Sequence, residues 1–119
     1  MDNKVFGQKG EDRAVSFLES KNYEILERNW QISHAEVDII AKSNNLLIFI
    51  EVKTRSYDYY GPPEEFVSRK QQQNLIYAAN RYMEKNNYEG EIRFDIVAII
   101  MKPGYEKINH IEDAFFPGL

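Results

Sequence analysis

Two charged residues follow the most hydrophobic stretch of the chain. The run Leu46–Ile50 is apolar and rich in branched and aromatic residues, and Glu51 and Lys53 come directly after it. Such a run predicts a strand that is buried on both faces of a sheet. Side chains alternate along a strand, so Glu51 and Lys53 are expected on one face and Val52 on the other. Because a charge at the end of a central strand must be paired, solvated or bound to a metal ion, the two residues predict either a strand-end ion pair or a functional site.

A hairpin is expected to bring a second carboxylate to the same place. Residues 36–42 predict a strand, and Asn44-Asn45 can supply the positive φ that a tight turn needs. A two-residue loop pairs Ser43 with Leu46. A loop of three residues would instead turn the side chains of the preceding strand to the opposite face, so the next inference depends on loop length.

With the two-residue loop, Asp38 is expected opposite Glu51, and Glu36 opposite Lys53. Two carboxylates that face each other on neighbouring strands repel, and a sheet tolerates this most easily when a cation lies between them. Taken alone, Asp38 could equally be a solvated strand residue. Together, the residues predict a cluster of Asp38, Glu51 and Lys53 with Glu36 at its rim.

The first helix supplies a third carboxylate. Gly7–Lys21 shows helical periodicity, and Asn22 suits the left-handed position after the last turn. The apolar stripe of this helix consists of Ala14, Val15 and Leu18. Glu11 falls on the same face as the stripe, where burial is expected. It is either a first-turn residue that interacts with the helix dipole, or a carboxylate that projects toward the end of the sheet.

Basic and aromatic residues follow the Glu-x-Lys strand. Arg55 begins a predicted loop that also contains Tyr57, Tyr59 and Tyr60. Arginine pairs with phosphate oxygens and aromatic rings stack on bases, so this loop could contact nucleic acid. The alternative is that the tyrosines pack on their own domain.

A second helix is predicted from a capping box. Ser68 stands at the N-cap and Gln71 at the third helical position, and the helix is expected to reach about Asn86. Its apolar stripe is Leu75, Ala78, Ala79 and Tyr82. Arg69 and Lys70 in the first turn are either solvated charges or, with the free amides of the helix start, an anion-binding site.

The remaining segments complete the predicted layout. Tyr23–Trp30 predicts a strand that is followed by a loop at Gln31–Ala35, and Glu91–Met101 predicts an internal strand. Tyr105–Glu112 predicts a short edge strand. A strand-helix-strand passage gives parallel neighbours through a right-handed crossover, whereas the hairpin is antiparallel. The order α-β-β-β-α-β-β therefore predicts an α/β fold with a mixed central sheet that is flanked by helices.

Three other polar residues receive structural interpretations. Asp95 is expected to cap its strand or to pair with Arg93. His34 and His110 have no second histidine or cysteine near them in the sequence and are interpreted as incidental.

Composition limits the class of protein. A chain of 119 residues is expected to form one domain, 1–119. No apolar stretch is long enough to cross a bilayer, the N-terminus lacks the apolar core of a signal peptide, and there is no cysteine. We therefore expect a cytoplasmic protein without membrane contact. The net charge of −4 disfavours broad binding to nucleic acid, so such binding needs a local basic patch.

The constellation of a helical Glu, a strand Asp and a following Glu-x-Lys resembles the restriction-endonuclease-like core of the PD-(D/E)XK nuclease superfamily. More closely, the whole chain resembles the YraN family of endonuclease-like bacterial proteins. The matching segments are Gly10-Glu11-Asp12, Arg28-Asn29-Trp30, Glu36-Val37-Asp38-Ile39-Ile40, Phe49-Ile50-Glu51-Val52-Lys53-Thr54-Arg55, Lys70, Arg93-Phe94-Asp95 and Asp113-Ala114-Phe115. Ala35 and Asn22 stand where that family usually has glycine.

The resemblance implies a role for each matching residue. Asp38 and Glu51 would bind Mg²⁺ or Mn²⁺ and take part in catalysis. Lys53 would be the catalytic lysine and Glu11 an auxiliary catalytic carboxylate. Lys70 would be a further cation near the active site.

Three functions follow as hypotheses. The leading one is a metal-dependent endonuclease that hydrolyses phosphodiester bonds. The resemblance implies DNA as its substrate, including branched or junction DNA. Its nucleic-acid contacts would be Arg55, Arg69 and Lys70. The second is a catalytically silent nucleic-acid-binding module with the same fold. The third is a protein-interaction domain in which Glu51 and Lys53 form an ion pair. A homodimer would help so acidic a chain to assemble a continuous basic groove.

Overall fold

Two helices and five strands follow one another along the described chain in the predicted order α-β-β-β-α-β-β. The computed structural model describes residues 3–56 and 67–115. The helices are α1 (Asn3–Ser20) and α2 (Arg69–Lys85). The strands are β1 (Glu24–Ile32), β2 (Ala35–Ser43), β3 (Leu46–Arg55), β4 (Ile92–Lys102) and β5 (Tyr105–Ile111).

The strands form one mixed sheet in the order β1-β2-β3-β4-β5. β3 and β4 are parallel, and the other neighbouring pairs are antiparallel. The parallel pair is joined through α2, since two parallel strands need a crossover connection. The predicted mixed sheet with an antiparallel hairpin and a parallel crossover is confirmed.

Three predicted boundaries are wrong. α1 begins at Asn3 rather than at Gly7. The loop predicted at 31–35 is only Ser33-His34, because Gln31 and Ile32 continue β1 by pairing with Glu36 and Ala35. Arg55 belongs to β3 rather than to the loop that follows. Cross-strand pairing extended these strands beyond the point where their hydrophobic pattern ends.

Two apolar clusters cover the two faces of the sheet. On one face, the predicted apolar side of α2 is buried against residues such as Ile40, Phe49 and Phe94. On the other face, Ala14 and Leu18 of α1 pack on sheet residues that include Ile39, Ile48, Ile50, Val97 and Ile99. Neighbouring residues of β3 alternate between the two clusters, as expected for a strand buried on both faces.

Local capping signals were read correctly. The Ser68 hydroxyl accepts from the Gln71 amide at 3.1 Å, and the Ser68 amide donates to the Gln71 side chain at 2.8 Å. This is the predicted capping box. Asn22 has φ of 68°, the left-handed conformation predicted after α1. No helix in the described ranges has the length and apolar character needed to cross a membrane.

A buried acid on β4 ties the sheet to α1. Asp95 is 0% exposed and accepts two hydrogen bonds from the Arg93 guanidinium, both at 2.8 Å, as its predicted ion pair requires. His110 Nε2 also lies 2.8 Å from Asp95 Oδ2, and Lys21 Nζ lies 2.9 Å from His110 Nδ1. His110 therefore has a structural role that the sequence did not predict, because its ring links Asp95 to Lys21, the residue after α1.

α1 approaches β3 closely at one glycine. A Cβ atom on Gly10 would lie 2.8 Å from Cβ of Thr54, and closer still to its hydroxyl oxygen. Only a residue without a side chain allows this approach, and it places the next residue, Glu11, beside the end of β3. Gly7, one helical turn earlier, has nothing within 4 Å of the same position.

We expect Gly10→Ala to destabilise the fold by roughly 1–3 kcal/mol, because the added methyl group collides with Thr54. Gly7→Ala is the matched control and should stabilise the protein by roughly 0.5–1 kcal/mol, since alanine favours a helix. Urea unfolding of both variants measures the difference. Equal stability of the two variants would contradict the close approach of α1 to β3.

Candidate functional site

The β2-β3 hairpin has the predicted register and then opens. Ser43 pairs with Leu46, and the regular ladder ends at the pair Ile39 and Ile50. One residue further, the carboxylate of Asp38 accepts a hydrogen bond from the amide of Val52 at 2.8 Å. The Asp38 side chain thus takes the place of a backbone acceptor where the two strands separate.

The same opening displaces one predicted contact. Glu36 is exposed and accepts a hydrogen bond from Gln31 at 2.8 Å, and the paired register ends before it could face Lys53. The predicted pairing of Glu36 with Lys53 is therefore wrong. Glu36 still raises the pKa of Asp38 and of Glu51 by its charge, which agrees with a position at the rim.

Asp38 and Glu51 form a coupled pair of carboxyl groups. Burial is the main cause that raises the pKa of Asp38 to about 9, and the charge of Glu51 adds to it. Burial also raises the pKa of Glu51, while the charge of Lys53 and a hydrogen bond from Asp38 act in the opposite direction. Two half-buried carboxyl groups that share one site cannot both ionise easily, so in the absence of a cation the pair resists losing its last proton.

Glu11 belongs to the same site. Because α1 begins at Asn3, Glu11 lies in the middle of the helix, and the interpretation as a first-turn residue is wrong. Burial raises its pKa, and its own charge raises the pKa of both Asp38 and Glu51. The alternative, a carboxylate that projects toward the end of the sheet, describes its position.

Lys53 is a buried cation without an ion-pair partner in the described ranges. Its side chain is 9% exposed, and no carboxylate there lies within ion-pair distance. The predicted strand-end ion pair between Glu51 and Lys53 is therefore not formed. The ammonium acts on Glu51 through a longer electrostatic interaction that lowers the pKa of the carboxyl group.

These side chains share a cavity of about 780 Å³ at the end of β3. α1 lines it with Phe6, Gly7 and Glu11, and β2 contributes Asp38. The remaining lining residues come from the end of β3 and the position after it, namely Glu51, Val52, Lys53, Thr54, Arg55 and Ser56. The structure thus brings all four predicted catalytic residues to one cavity.

Of the three predicted nucleic-acid contacts, one lines the cavity and two lie outside it. Arg55 lines the cavity, and its guanidinium donates to the carbonyl oxygen of Thr54 at 2.8 Å. Arg69 and Lys70 are exposed in the first turn of α2 and do not line this cavity. The predicted tyrosine loop at 57–60 lies outside the described residues.

The donor set suits one hard divalent cation. Within residues 3–56 and 67–115, no three Asp, Glu, His or Cys side chains converge closely enough to enclose a metal ion. Mg²⁺ does not need such a cage, because it keeps several waters and binds through one or two carboxylates together with substrate phosphates. The oxygen atoms of Asp38 and Glu51 fit this requirement, and their mutual repulsion favours a cation between them.

Asn29 is a site residue that sequence reasoning missed. In the β1-β2 register Arg28 pairs with Ile39 and Trp30 with Val37, so Asn29 stands opposite Asp38, where no pair forms. Its φ of 52° is left-handed, which is unusual inside a strand. Its side chain hydrogen-bonds Glu11 and thereby counteracts the effect of burial on the pKa of that carboxyl group.

The fold and the cavity define a class of α/β domain in which a carboxylate pair, a helical glutamate and a lysine meet at the end of a mixed sheet. A family model described as "Uncharacterised protein family UPF0102" matches residues 10–99. The chain belongs to this family.

Relatives over nearly the full length support the same assignment. The chain is 54% identical to a UPF0102 protein of Christiangramia forsetii over 92% of each chain, and 47% identical to one of Flavobacterium psychrophilum over 92% of each chain. A UPF0102 protein of Bacteroides fragilis is 39% identical over 99% of this chain and 98% of its own.

The raised pKa of Asp38 predicts a pH-dependent stability of the metal-free protein. The ordinary value is 3.8 and the folded value is about 9. The folded state therefore holds a proton that the unfolded state releases, and stability falls as the pH rises through this interval. Urea unfolding in a chelator should show a loss of up to about 1.4 kcal/mol per pH unit for each such proton, and Asp38→Asn should make the loss smaller, because Glu51 and Glu11 also have raised pKa values. Glu24→Gln, which changes an exposed carboxylate at the start of β1, is the control and should keep the pH dependence of the wild type. An unchanged pH slope in Asp38→Asn would contradict the raised pKa of Asp38.

The left-handed conformation of Asn29 can be tested with two substitutions. Both Asn29→Gly and Asn29→Ala remove the amide group, but only glycine adopts a left-handed φ without cost. We expect the glycine variant to be more stable than the alanine variant by about 1–2 kcal/mol in urea unfolding. The same pair of substitutions at Asn87, where φ is 53°, provides the control and should show a similar difference. Equal stabilities at position 29 alone would rule out the strain.

Proposed function

We propose that this protein is a metal-dependent nuclease that hydrolyses phosphodiester bonds, with DNA as the substrate. The observation that carries the proposal is the half-buried pair Asp38 and Glu51, which shares a cavity with Glu11 and with Lys53, whose ammonium has no ion-pair partner among the described residues. The strand order and the Glu-x-Lys at the end of β3 support it, since both resemble the restriction-endonuclease-like core.

Asp38 and Glu51 are the residues that would hold Mg²⁺ or Mn²⁺. When bound, the cation polarises a phosphate oxygen and acidifies a water molecule for attack on phosphorus. The carboxyl pair would release its proton when a cation binds, because the cation then balances the charge of both carboxylates. Metal binding is therefore expected to release about one proton near neutral pH.

Lys53 and Glu11 supply the remaining functions. The Lys53 ammonium is buried beside Glu51, where a positive charge can stabilise the negative charge that develops on the phosphate group. Glu11 has a raised pKa and faces the same cavity, so its carboxylate can orient a water molecule or accept its proton. The interaction of Asn29 with Glu11 lowers the pKa of this carboxyl group and so favours its charged form.

The two alternative functions make different predictions. A catalytically silent binding module would keep the metal site and bind nucleic acid without cleaving it. The protein-interaction domain depended on an ion pair between Glu51 and Lys53, and the described residues do not form one.

Thermal unfolding with and without Mn²⁺ tests the metal site, and cleavage of labelled DNA tests the chemistry. At a concentration of Mn²⁺ about 100 times its Kd, the wild type should gain about 2.7 kcal/mol of stability. Asp38→Asn combined with Glu51→Gln should abolish this gain. Lys53→Met should keep the gain and lose at least about 100-fold in cleavage rate, because it removes only the stabilising charge.

Lys42→Met, which changes an exposed lysine of β2, serves as the control and should behave as the wild type in both measurements. A metal-dependent gain without cleavage of linear or branched DNA would support the catalytically silent module instead. No gain in the wild type at millimolar Mn²⁺ would contradict the metal site and with it the proposed nuclease.

A further inference from the structure

The outer side of α2 carries a straight row of polar and aromatic residues. Lys70, Asn74, Tyr77 and Arg81, called the α2 stripe below, are all exposed. Their spacing of four, three and four residues places them within about 60° of one another around the helix axis. The buried residues Leu75, Ala78, Ala79 and Tyr82 lie on a different side of the same helix. The α2 stripe therefore faces away from the core along most of the helix.

α2 is a basic element in an acidic protein. The chain has 15 basic and 19 acidic residues. α2 contains four of the basic residues, Arg69, Lys70, Arg81 and Lys85, and only one acidic residue, Glu84. This is the local basic patch that the acidic composition requires of any part that contacts phosphate.

The aromatic member of the α2 stripe is held next to a cation. Tyr77 is 43% exposed, and Arg81 Nη1 donates to its hydroxyl oxygen at 3.2 Å. The guanidinium carbon of Arg81 lies 6.0 Å from the centre of the ring. Glu84 approaches Arg81 only to 3.9 Å, with 73% of its own side chain exposed, so it neutralises the guanidinium weakly. An exposed tyrosine beside an arginine provides both a stacking surface and a phosphate contact.

The α2 stripe begins at the end of the sheet that carries the cavity. Tyr88, just beyond α2, donates to the carbonyl oxygen of Asn45 in the β2-β3 turn at 3.3 Å. The C-terminal end of α2 therefore lies at that turn, and its first turn lies toward the end of β3, where Glu51 and Lys53 are. Lys70 and Arg81 are about 16 Å apart along the helix axis, the rise of roughly five nucleotides in one strand of a duplex.

We propose that the α2 stripe binds the sugar-phosphate backbone of the nucleic acid and guides it to the cavity at the end of β3. The inference rests on the proposed function for the identity of the strand as substrate. Lys70 and Arg81 contact phosphates, and Tyr77 supports a base or sugar between them. These contacts carry no sequence information and position the strand.

The test measures DNA binding apart from cleavage. The probe is a short fluorescein-labelled DNA duplex, followed by fluorescence anisotropy in a chelator, so that no divalent cation is present. We expect Lys70→Gln combined with Arg81→Gln to weaken binding at least about 10-fold and to lower the salt slope by about two, one for each lost phosphate contact. Lys102→Gln combined with Lys107→Gln removes the same charge from the exposed hairpin of β4 and β5 and should change the affinity less than about twofold.

The outcomes separate this inference from the proposed function. Equal losses in the two double variants would show an effect of net charge alone and would overturn the α2 stripe, as would a wild type that does not bind the duplex at low salt. If the stripe variant binds weakly while the wild type binds but never cleaves DNA with Mn²⁺, the stripe stands and the nuclease fails. If the wild type cleaves and the stripe variant keeps its affinity and its KM, the nuclease stands and the stripe is overturned.

Discussion

The hydrogen bond from the Val52 amide to the Asp38 carboxylate determines much of the rest of the site. It satisfies the amide at the point where β2 and β3 separate, so the ladder can end without leaving a buried donor unpaired. The separation opens the cavity between α1 and the end of β3. It also keeps a carboxylate next to Glu51, where burial and repulsion make the charged form unfavourable. One contact thus joins the end of a strand pair to the carboxyl groups that line the cavity.

Asp38 and Asp95 show how the same residue type serves two purposes in one sheet. Burial would raise the pKa of Asp95, but its hydrogen bonds, with that of His110 the strongest, outweigh burial and lower it. Asp95 is fully paired and holds β4, β5 and the end of α1 together. Asp38 faces a second carboxylate instead of a cation, and its pKa is raised. An acid with all its partners in the protein is structural, whereas one that lacks a counter-charge is available for a ligand.

The sequence was sufficient to predict those features of the fold that depend on neighbouring residues in the chain. The two asparagines of the β2-β3 turn determined the register that brings Asp38 to Glu51. The capping box of α2 and each of its buried apolar residues were predicted correctly. The position of Glu11 could not be decided, because it depends on where α1 begins and on the contact of Gly10 with Thr54. The contact of His110 with Asp95 had an overlooked signal, since the short turn between β4 and β5 sets His110 opposite Val97, on the same face of the sheet as Asp95. The left-handed Asn29 had only a weak signal, since asparagine tolerates this conformation but a strand pattern does not indicate where it occurs.

The packing of α1 on β3 and β4 has a consequence for synthesis of the chain. α1 is made first, yet part of its apolar stripe is buried by β3 and β4, whose residues in the same cluster follow Leu18 by about 30 or more positions. A helix with an unburied apolar side is only marginally stable by itself. Glu11 therefore joins the carboxylates of β2 and β3 only after those strands have been synthesised, so the three carboxyl groups come together only once the sheet has formed.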